Sequence, residues 1–431
     1  MSTEKIPYRV VLPESQLPRH WLNLRALMPG GPEPLLNPAT GSPITREELC
    51  AVFSEGCADQ ELNTTQTHIP IPEEVFDAYR SYRPSPLCRA YGLEKALDTP
   101  ARIYYKFEGG NTSGSHKLNS AVAQAYYAKK QGLRGLATET GAGQWGTALS
   151  MACAHFGLEL SVFMVKTSAA QKPMRPQLMK LFGGKVFESP GSATETGRAM
   201  LGADPQCGGS LGTAISEAIE TVRSQSGIRY ALGSVLDQVL LHQSILGLEA
   251  RTAMDQLGER PDLVIGCAGG GSNLGGLLAG YLPDRFENRP APRFLAVEPE
   301  ACPSLTRGEY RYDFCDAAKL TPMAKMYTLG CDFMPPKIHA GGLRYHGMSP
   351  LLSKLYAQGF LDEACAVSSQ EVFESGRLFA RAEGILPAPE SSHAIAAAIR
   401  QAMKCRISGE SSVILFNLTG TGYCDLAAYG L

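Results

Sequence analysis

The chain has 431 residues, 44% hydrophobic and 19% charged, with a formal net charge of −2; at roughly 100–200 residues per domain, that length predicts two or three domains. Near-neutral charge removes the basic excess on which unspecific binding to nucleic acid or anionic membrane rests, and no apolar run approaches the ~18–20 residues of a spanning helix. The 12 cysteines form no CxxC pair and the opening residues lack the apolar core of a secretory signal, which together read as a cytoplasmic protein with reduced thiols and no metal site.

In chain order, residues 1–90 are punctuated by Pro70, Pro72, Pro84 and Pro86 and read as an irregular wrapping arm. A strand–helix alternation follows: strand 101–107, helix 117–132, strand 133–140, helix 147–157, strand 158–166, a short helix within 171–184 and strand 185–189. A second series has helices at 216–227 and 238–258, a buried strand from 262 into a glycine loop, helix 273–282 and strand 293–300. Residues 301–350 show no clear period, and such a long irregular stretch in a compact domain is more often functional than decorative. Ser368 and Glu371 form a Ser-x-x-Glu capping box for helix 368–384, followed by helix 391–404 and strand 411–422. Strands alternating with helices imply parallel sheet covered on both faces. Two such series imply an α/β fold of two domains with mostly parallel, twisted sheets and the site between them.

Three glycine loops carry chemistry. GAGQWG, Gly141 to Gly146, matches G-x-G-x-x-G between a strand and a helix. The acidic residue that a dinucleotide site needs about 20 positions on is missing, since the next strand ends in Lys166. The loop then admits three roles: an NADP site, a tight turn, or a carboxylate or phosphate docked on free backbone N–H groups. GGNTSGSHK (109–117) falls two residues short of a Walker A loop, because Ser115 and His116 precede Lys117. GGGSN, Gly269 to Asn273, has no dinucleotide register, but its glycines let several N–H groups converge on one phosphate monoester, with Ser272 adding a hydroxyl.

Most lysines are solvated surface charges. Lys117, however, opens a helix inside a Gly-, Ser- and Thr-rich loop, where the helix already presents positive partial charge. Such an amine is less basic and suited to a Schiff base. A Schiff-base lysine in one half and a monophosphate loop in the other fit one cofactor, pyridoxal phosphate. A hydroxyl at Thr419, in the third loop NLTGTG (417–422), would face the pyridine nitrogen and leave it unprotonated, which suits β-elimination better than transamination.

The ordered set RPSPL, EGGNTSGSHKLN, ETGAGQWG, CAGGGSNLGG, EGILPAPESSHA and NLTGTG resembles the tryptophan synthase beta chain family, and the long arm, Trp145 and AGGLRYHG (340–347) resemble its second, longer class. The resemblance implies fold type II of the pyridoxal phosphate enzymes. It divides the chain into an arm at 1–85 packed on the large domain, a smaller α/β domain at 86–232 carrying the lysine, and a larger one at 233–431 carrying the phosphate loop. It further implies a homodimer, an alpha subunit that can dock without being required, and no nucleic-acid or membrane partner.

Carried over by motif, Lys117 is the Schiff-base lysine and Glu139 the catalytic carboxylate. His116, Asn119, Gly269, Gly270, Gly271, Ser272, Asn273, Glu383 and Thr419 contact the cofactor, with Glu383 near its ring. Thr140, Gly141, Ala142, Gly143, Gln144 and Trp145 hold the substrate carboxylate. The implied reaction joins indole to the three-carbon fragment left when L-serine or O-phosphoserine loses its β-oxygen, giving L-tryptophan. Arg344, Tyr345 and His346 supply a basic cluster that would suit a phosphate leaving group, or else serve as an ordinary loop. Thr421 stands where the shorter class carries arginine, and His393 reads as a capping or packing residue. The rival activities are a serine or threonine dehydratase, β-replacement with another nucleophile, and, from GAGQWG alone, an NADP-dependent oxidoreductase.

Overall fold

The computed structural model describes residues 6–430; the first five positions of the expected arm, and with them the start of the stretch tested for a secretory signal, lie outside the described residues. Two sheets organise the chain. The larger has seven strands in the order Arg9–Val10, Leu87–Arg89, Arg102–Phe107, Val413–Leu418, Leu263–Cys267, Arg293–Pro299, Glu363–Val367. Its first two pairings are antiparallel and the rest parallel. The smaller is wholly parallel, in the order Lys185–Ser189, Glu159–Val165, Gly135–Thr140, Ile228–Tyr230. The central strands Gly135–Thr140, Leu263–Cys267 and Val413–Leu418 are buried at every position. Helices covering both faces of a parallel sheet require that, and it accounts for the apolar runs LVI and VILF in the last two.

The helices begin and end where local chemistry dictates. Ser210 and Thr213 cap Leu211–Ser224 reciprocally, and Gly157 at φ +69° closes Gln144–Phe156 with a left-handed turn. That helix starts three residues before the expected 147, because Gly143 at φ +91° turns the chain immediately after the strand. At Ser368 the hydroxyl accepts the Glu371 N–H as expected. The return half of the capping box is absent, because the Glu371 carboxylate is taken by Arg400, 2.5 Å from its Nε.

Sheet membership divides the chain differently from the expected boundaries. Strands Leu87–Arg89 and Arg102–Phe107 belong to the seven-stranded sheet, so residues 86–107 join the larger unit. The smaller sheet is built from residues 135–230. The arm is also more regular than its prolines suggested: Arg46–Val52, Glu55–Leu62 and Glu73–Arg80 are helices, the first held by a Thr45–Glu48 capping box. Within 301–350, Glu309–Phe314 and Met323–Thr328 pair antiparallel. Their alternating exposure is a period-2 signal too short to stand out. Glu363–Val367, also unforeseen, is an edge strand.

A buried ionic network fastens arm, sheet and helix together behind the lysine loop. Arg83 donates to Glu249 (2.8 and 2.9 Å) and Glu108 (2.8 and 3.1 Å). Lys106 reaches the same Glu249 at 2.6 Å, and no side chain in the set is more than 1% exposed. Two cations and two carboxylates balance, which is the condition under which buried charge is tolerated.

Candidate active site

The carboxyl ends of the parallel strands of both sheets meet at one cleft, lined by Ser115, His116, Lys117, Gln144, the loop Gly269–Asn273 and Thr419 among others. Three helices point uncapped N-termini at this region: Leu118–Lys130 behind Lys117, Gln144–Phe156 behind Gly143, and Ser272–Leu278 behind Gly271 at φ +101°. Each leaves first-turn N–H groups free for an anion. The glycines are required by space as well as by conformation. A Cβ on Gly269 would lie 2.7 Å from the Gly342 carbonyl oxygen, and one on Gly271 would lie 2.5 Å from Leu352 Cδ1.

Lys117 Nζ donates to the carbonyl oxygen of Gly233 at 3.0 Å. Burial pulls its amine down to about 8, with Glu139, Glu390 and Cys267 opposing the fall. His116 is pushed down to about 3 by burial and by Lys117, so it is neutral at pH 7. Its Nε2 lies 3.2 Å from Ser272 Oγ, while Nδ1 is buried without a protein partner. Thr419 Oγ1 sits 2.8 Å from Ser391 Oγ, which also accepts the Gly420 N–H at 3.0 Å. Asn273 ties its loop to the strand ends, donating to Cys267 O at 2.8 Å and accepting from Asn417 at 2.6 Å.

Glu139 stands at the end of Gly135–Thr140 and is 3% exposed. Burial raises its carboxyl to about 7, against the opposing pull of the Tyr230 hydroxyl, Lys117 and the Gly233 N–H. The Tyr230 hydroxyl donates to Glu139 Oε2. Beyond Tyr230 lies an apolar cavity lined by residues including Leu49, Phe53, Ile215, Tyr230, Val235 and Tyr345. Ser234 borders the cleft while Val235 and Leu236 border the apolar cavity, so residues 234–236 form a wall shared by both.

The structure places several of the expected residues away from the cleft lining. Asn119 is buried in the ionic network, accepting from Arg83 at 2.8 Å and donating to Gln243 at 3.0 Å, and is not among the cleft residues. Glu383 accepts the Leu93 N–H at 2.7 Å on the far side of its helix end. The acid that lines the cleft is Glu390, later in chain order in the same motif segment EGILPAPESSHA. It accepts from Gly342 N (2.9 Å) and Gln144 Nε2 (3.1 Å). Although burial works against it, Lys172 and these donors hold its carboxyl below the ordinary value. Glu390 follows Pro389 in the first turn of Pro389–Ser408, a sequence signal for an acid at a helix start that was open to reading.

Trp145 faces the core rather than the cleft, donating from Nε1 to Thr138 Oγ1 at 2.7 Å. Of the expected carboxylate loop only Gln144 lines the cleft. Thr140 accepts the Gly146 N–H at 3.1 Å, and a Cβ on Gly341 would lie 3.3 Å from Ala142, so these residues brace the loop from behind. Arg344 donates to the carbonyls of Pro335 (2.9 Å) and Pro336 (3.0 Å), and His346 Nε2 lies 2.9 Å from Phe314 O. Both fasten their own loop and neither lines the cleft. His393 Nδ1 is 2.9 Å from Pro389 O, a packing role inside its helix.

The residues present fit pyridoxal phosphate. A desolvated lysine, an unpartnered buried His116 Nδ1, an uncapped glycine-lined helix start and a fixed Thr419 hydroxyl supply amine, phosphate cradle and ring partner in one cleft.

Comparison with known proteins agrees. Residues 79–420 match the family model described as pyridoxal-phosphate dependent enzyme. The chain is 54% identical to tryptophan synthase beta chain 2 of Thermotoga maritima over 420 residues, 97% of this chain and 99% of that one. It is 52% identical to tryptophan synthase beta chain 2 of Methanosarcina mazei over 421 residues, 98% of this chain and 95% of that one. With the corresponding chain of Aquifex aeolicus it shares 53% over 424 residues, 98% of this chain and 97% of that one. Among solved structures, a T.th. threonine deaminase superimposes with a TM-score of 0.59 at 19% identity, covering 82% of this chain and 98% of that one. A fungal L-serine ammonia-lyase from Rhizomucor miehei does so with a TM-score of 0.59 at 19% identity, covering 80% and 96%. These two likenesses concern the fold alone.

Proposed function

The chain belongs to the pyridoxal-phosphate dependent enzymes and, within them, to the tryptophan synthase beta chains, and from that premise we propose that its cleft joins indole to the three-carbon fragment of an amino acid that has lost a β-oxygen. The observation that carries this reading is the placement of Glu139. Its carboxylate is held by Tyr230, whose ring forms part of the wall of an apolar cavity, and is close enough to Lys117 to oppose the fall in that amine's basicity. Simple dehydration needs no such acceptor, whereas addition through an indole carbon puts positive charge on the ring nitrogen, whose proton a carboxylate can hold until the attacking carbon loses its own.

Bound pyridoxal phosphate supplies the electron-withdrawing system that acidifies the substrate Cα proton and lets the β-oxygen leave. Gly269 to Asn273 and His116 would hold its phosphate, Thr419 its ring nitrogen, and Lys117 its aldehyde carbon. Lys117 Nζ, brought near neutrality by burial, takes the Cα proton and later returns it. Free N–H groups at the start of Gln144–Phe156, together with Gln144, bind the substrate carboxylate. Glu139 takes the proton from the indole nitrogen as the ring carbon adds and returns it when that carbon loses its own proton, which is the one lost overall and balances the departed β-oxygen. The apolar cavity admits the aromatic ring while excluding water that would divert the fragment to pyruvate.

L-Serine and O-phosphoserine both offer the required β-oxygen. With Arg344 and His346 bound to carbonyls, neither provides a phosphate site in the cleft. We also infer a homodimer able to dock an alpha subunit, on the ground that the relatives are named as beta chains; light scattering with and without such a subunit tests both. The decisive assay gives the holoenzyme serine, O-phosphoserine or threonine, each with and without indole. Tryptophan formed from serine or its phosphate is the expected result; pyruvate released equally fast with indole present, and no tryptophan, overturns the proposal. Borohydride reduction should bleach the holoenzyme and label the Lys117 peptide, and Lys117→Ala should lower turnover by at least about 10²–10⁴-fold.

A further inference from the structure

The strand Ile228–Tyr230 lies beside Gly135–Thr140, with Tyr230 opposite Ala137. This register carries the Tyr230 side chain along the sheet to the end of the neighbouring strand, where its hydroxyl donates to Glu139 Oε2. Both residues are 3% exposed, so water does not compete for the bond. The Tyr230 ring packs against Phe53 with centroids 5.6 Å apart and forms part of the apolar cavity wall. One residue therefore shapes the nucleophile's cavity and fixes one oxygen of the carboxylate at its edge. We propose that Tyr230 is a positioning residue for nucleophile addition: its O–H occupies Glu139 Oε2 and leaves Oε1 directed at the proton to be removed.

The inference rests on Glu139 being the proton acceptor. It adds that the acceptor's direction and basicity are set from the cavity wall. A phenol is suited to the task because burial, and then Glu139 itself, push its own ionisation well up, keeping the donor protonated throughout the working range. The other groups facing the pair are Lys117 at the start of Leu118–Lys130, the Gly233 N–H, and Tyr345 and Cys315 from the segments packed across the cavity. Tyr345 does not compete for the carboxylate, because its hydroxyl donates to Cys315 O at 2.8 Å. Loss of a β-group that leaves without an acid, such as the chloride of β-chloroalanine, uses Lys117 and makes no call on Glu139, so with that substrate the two halves of the reaction should respond differently to Tyr230.

The test is Tyr230→Phe in the holoenzyme. Tryptophan formation should fall by about 10- to 100-fold, the range for losing a hydrogen bond to a charged group, mostly in kcat. Pyruvate release from β-chloroalanine without indole should change by less than about threefold. The acid limb of the tryptophan rate should move to higher pH, since a lost donor makes Glu139 harder to ionise. In a Glu139→Gln background, Tyr230→Phe should add less than about twofold, because a residue acting through Glu139 has nothing left to act on. Should Tyr230→Phe fold poorly, 3,5-difluorotyrosine placed at position 230 gives the reverse signature: a stronger donor and an acid limb at lower pH. Equal loss in both halves, a stationary acid limb, or a full effect in the Glu139→Gln background overturns the proposal. If Glu139→Gln alone leaves tryptophan formation intact, the role assigned to Glu139 fails instead, so the two failures are distinguishable.

Discussion

Lys117 and Glu139 meet at a single peptide: Gly233 accepts the Lys117 ammonium on its carbonyl oxygen at 3.0 Å and presents its N–H to the Glu139 carboxylate. The two groups that handle protons are thereby held in register by one backbone unit. That unit is pinned from behind, since a Cβ on Gly233 would sit 2.5 Å from Trp145 Cγ. Trp145 thus acts on the site through packing, with its own indole nitrogen tied to Thr138. Gly233→Ala should displace the peptide and lower tryptophan formation by about 10²-fold, the cost typical of an ångström-scale misplacement. Adding Trp145→Leu to make room should restore part of it. Steady-state rates of the single and double variants check this, and a Gly233→Ala enzyme with unaltered rate would show that the peptide tolerates movement.

Burial makes Glu139 costly as well as useful. Its carboxyl ionises at about 7 in the folded protein and near 4.3 when unfolded. Between those values the unfolded chain loses its proton first, so stability falls as pH rises through that window and stays reduced above it. The penalty is about 4 kcal/mol above pH 7, at 1.36 kcal/mol per unit. Glu139→Gln should therefore melt higher than the parent at pH 8, with the difference vanishing toward pH 4, while tryptophan formation drops. The parent's tryptophan rate should show an acid limb near pH 7, because only the ionised carboxylate accepts a proton. Calorimetry across pH on both proteins separates these effects.

Much of this site was legible in the sequence because its chemistry is local. Gly269 to Asn273 and Lys117 act through backbone N–H groups and a helix start, and both features are set by neighbours in the chain. The misplaced residues depend on the fold. Glu383 and Glu390 share one motif segment, and only the packing of Pro389–Ser408 against the strand ends shows which acid faces the cleft. Asn119 is two residues from Lys117, yet the helix turns it toward Arg83 and Gln243. Tyr230 ends a three-residue strand with no motif, and its meaning comes from register with Gly135–Thr140. Sheet membership after residue 86 depends on the fold in the same way: strands Leu87–Arg89 and Arg102–Phe107 join the sheet of Val413–Leu418, from the far end of the chain.

The phosphate cradle makes a sharp geometric demand at Gly271. Its φ of +101° is one that side chains rarely adopt, and a Cβ there would meet Leu352 Cδ1 at 2.5 Å. Gly271→Ala should weaken cofactor retention and cost about 1–3 kcal/mol of backbone strain. Dialysis followed by absorbance of the bound cofactor measures the first, and urea unfolding of the cofactor-free protein the second. Retention equal to the parent would show that the loop holds no phosphate.

The ionic network behind the lysine loop yields a stability test independent of the chemistry. Glu249 receives Arg83 through Nε at 2.8 Å and a terminal nitrogen at 2.9 Å, Ser85 N at 3.1 Å, and Lys106 at 2.6 Å. Glu249→Ala removes one of two carboxylates facing two buried cations, so Lys106 loses its carboxylate partner in a place water does not reach. Breaking such a pair from one side costs about 3–5 kcal/mol, more than the pair itself contributes over apolar packing. The urea midpoint should fall accordingly with little change in slope. Because Arg83 and Ser85 belong to the segment entering the seven-stranded sheet, hydrogen exchange should rise first across residues 83–89 and at Asn119, which accepts from the same guanidinium. A loss below about 1 kcal/mol, the range of surface pairs, would mean that solvent reaches these charges after all.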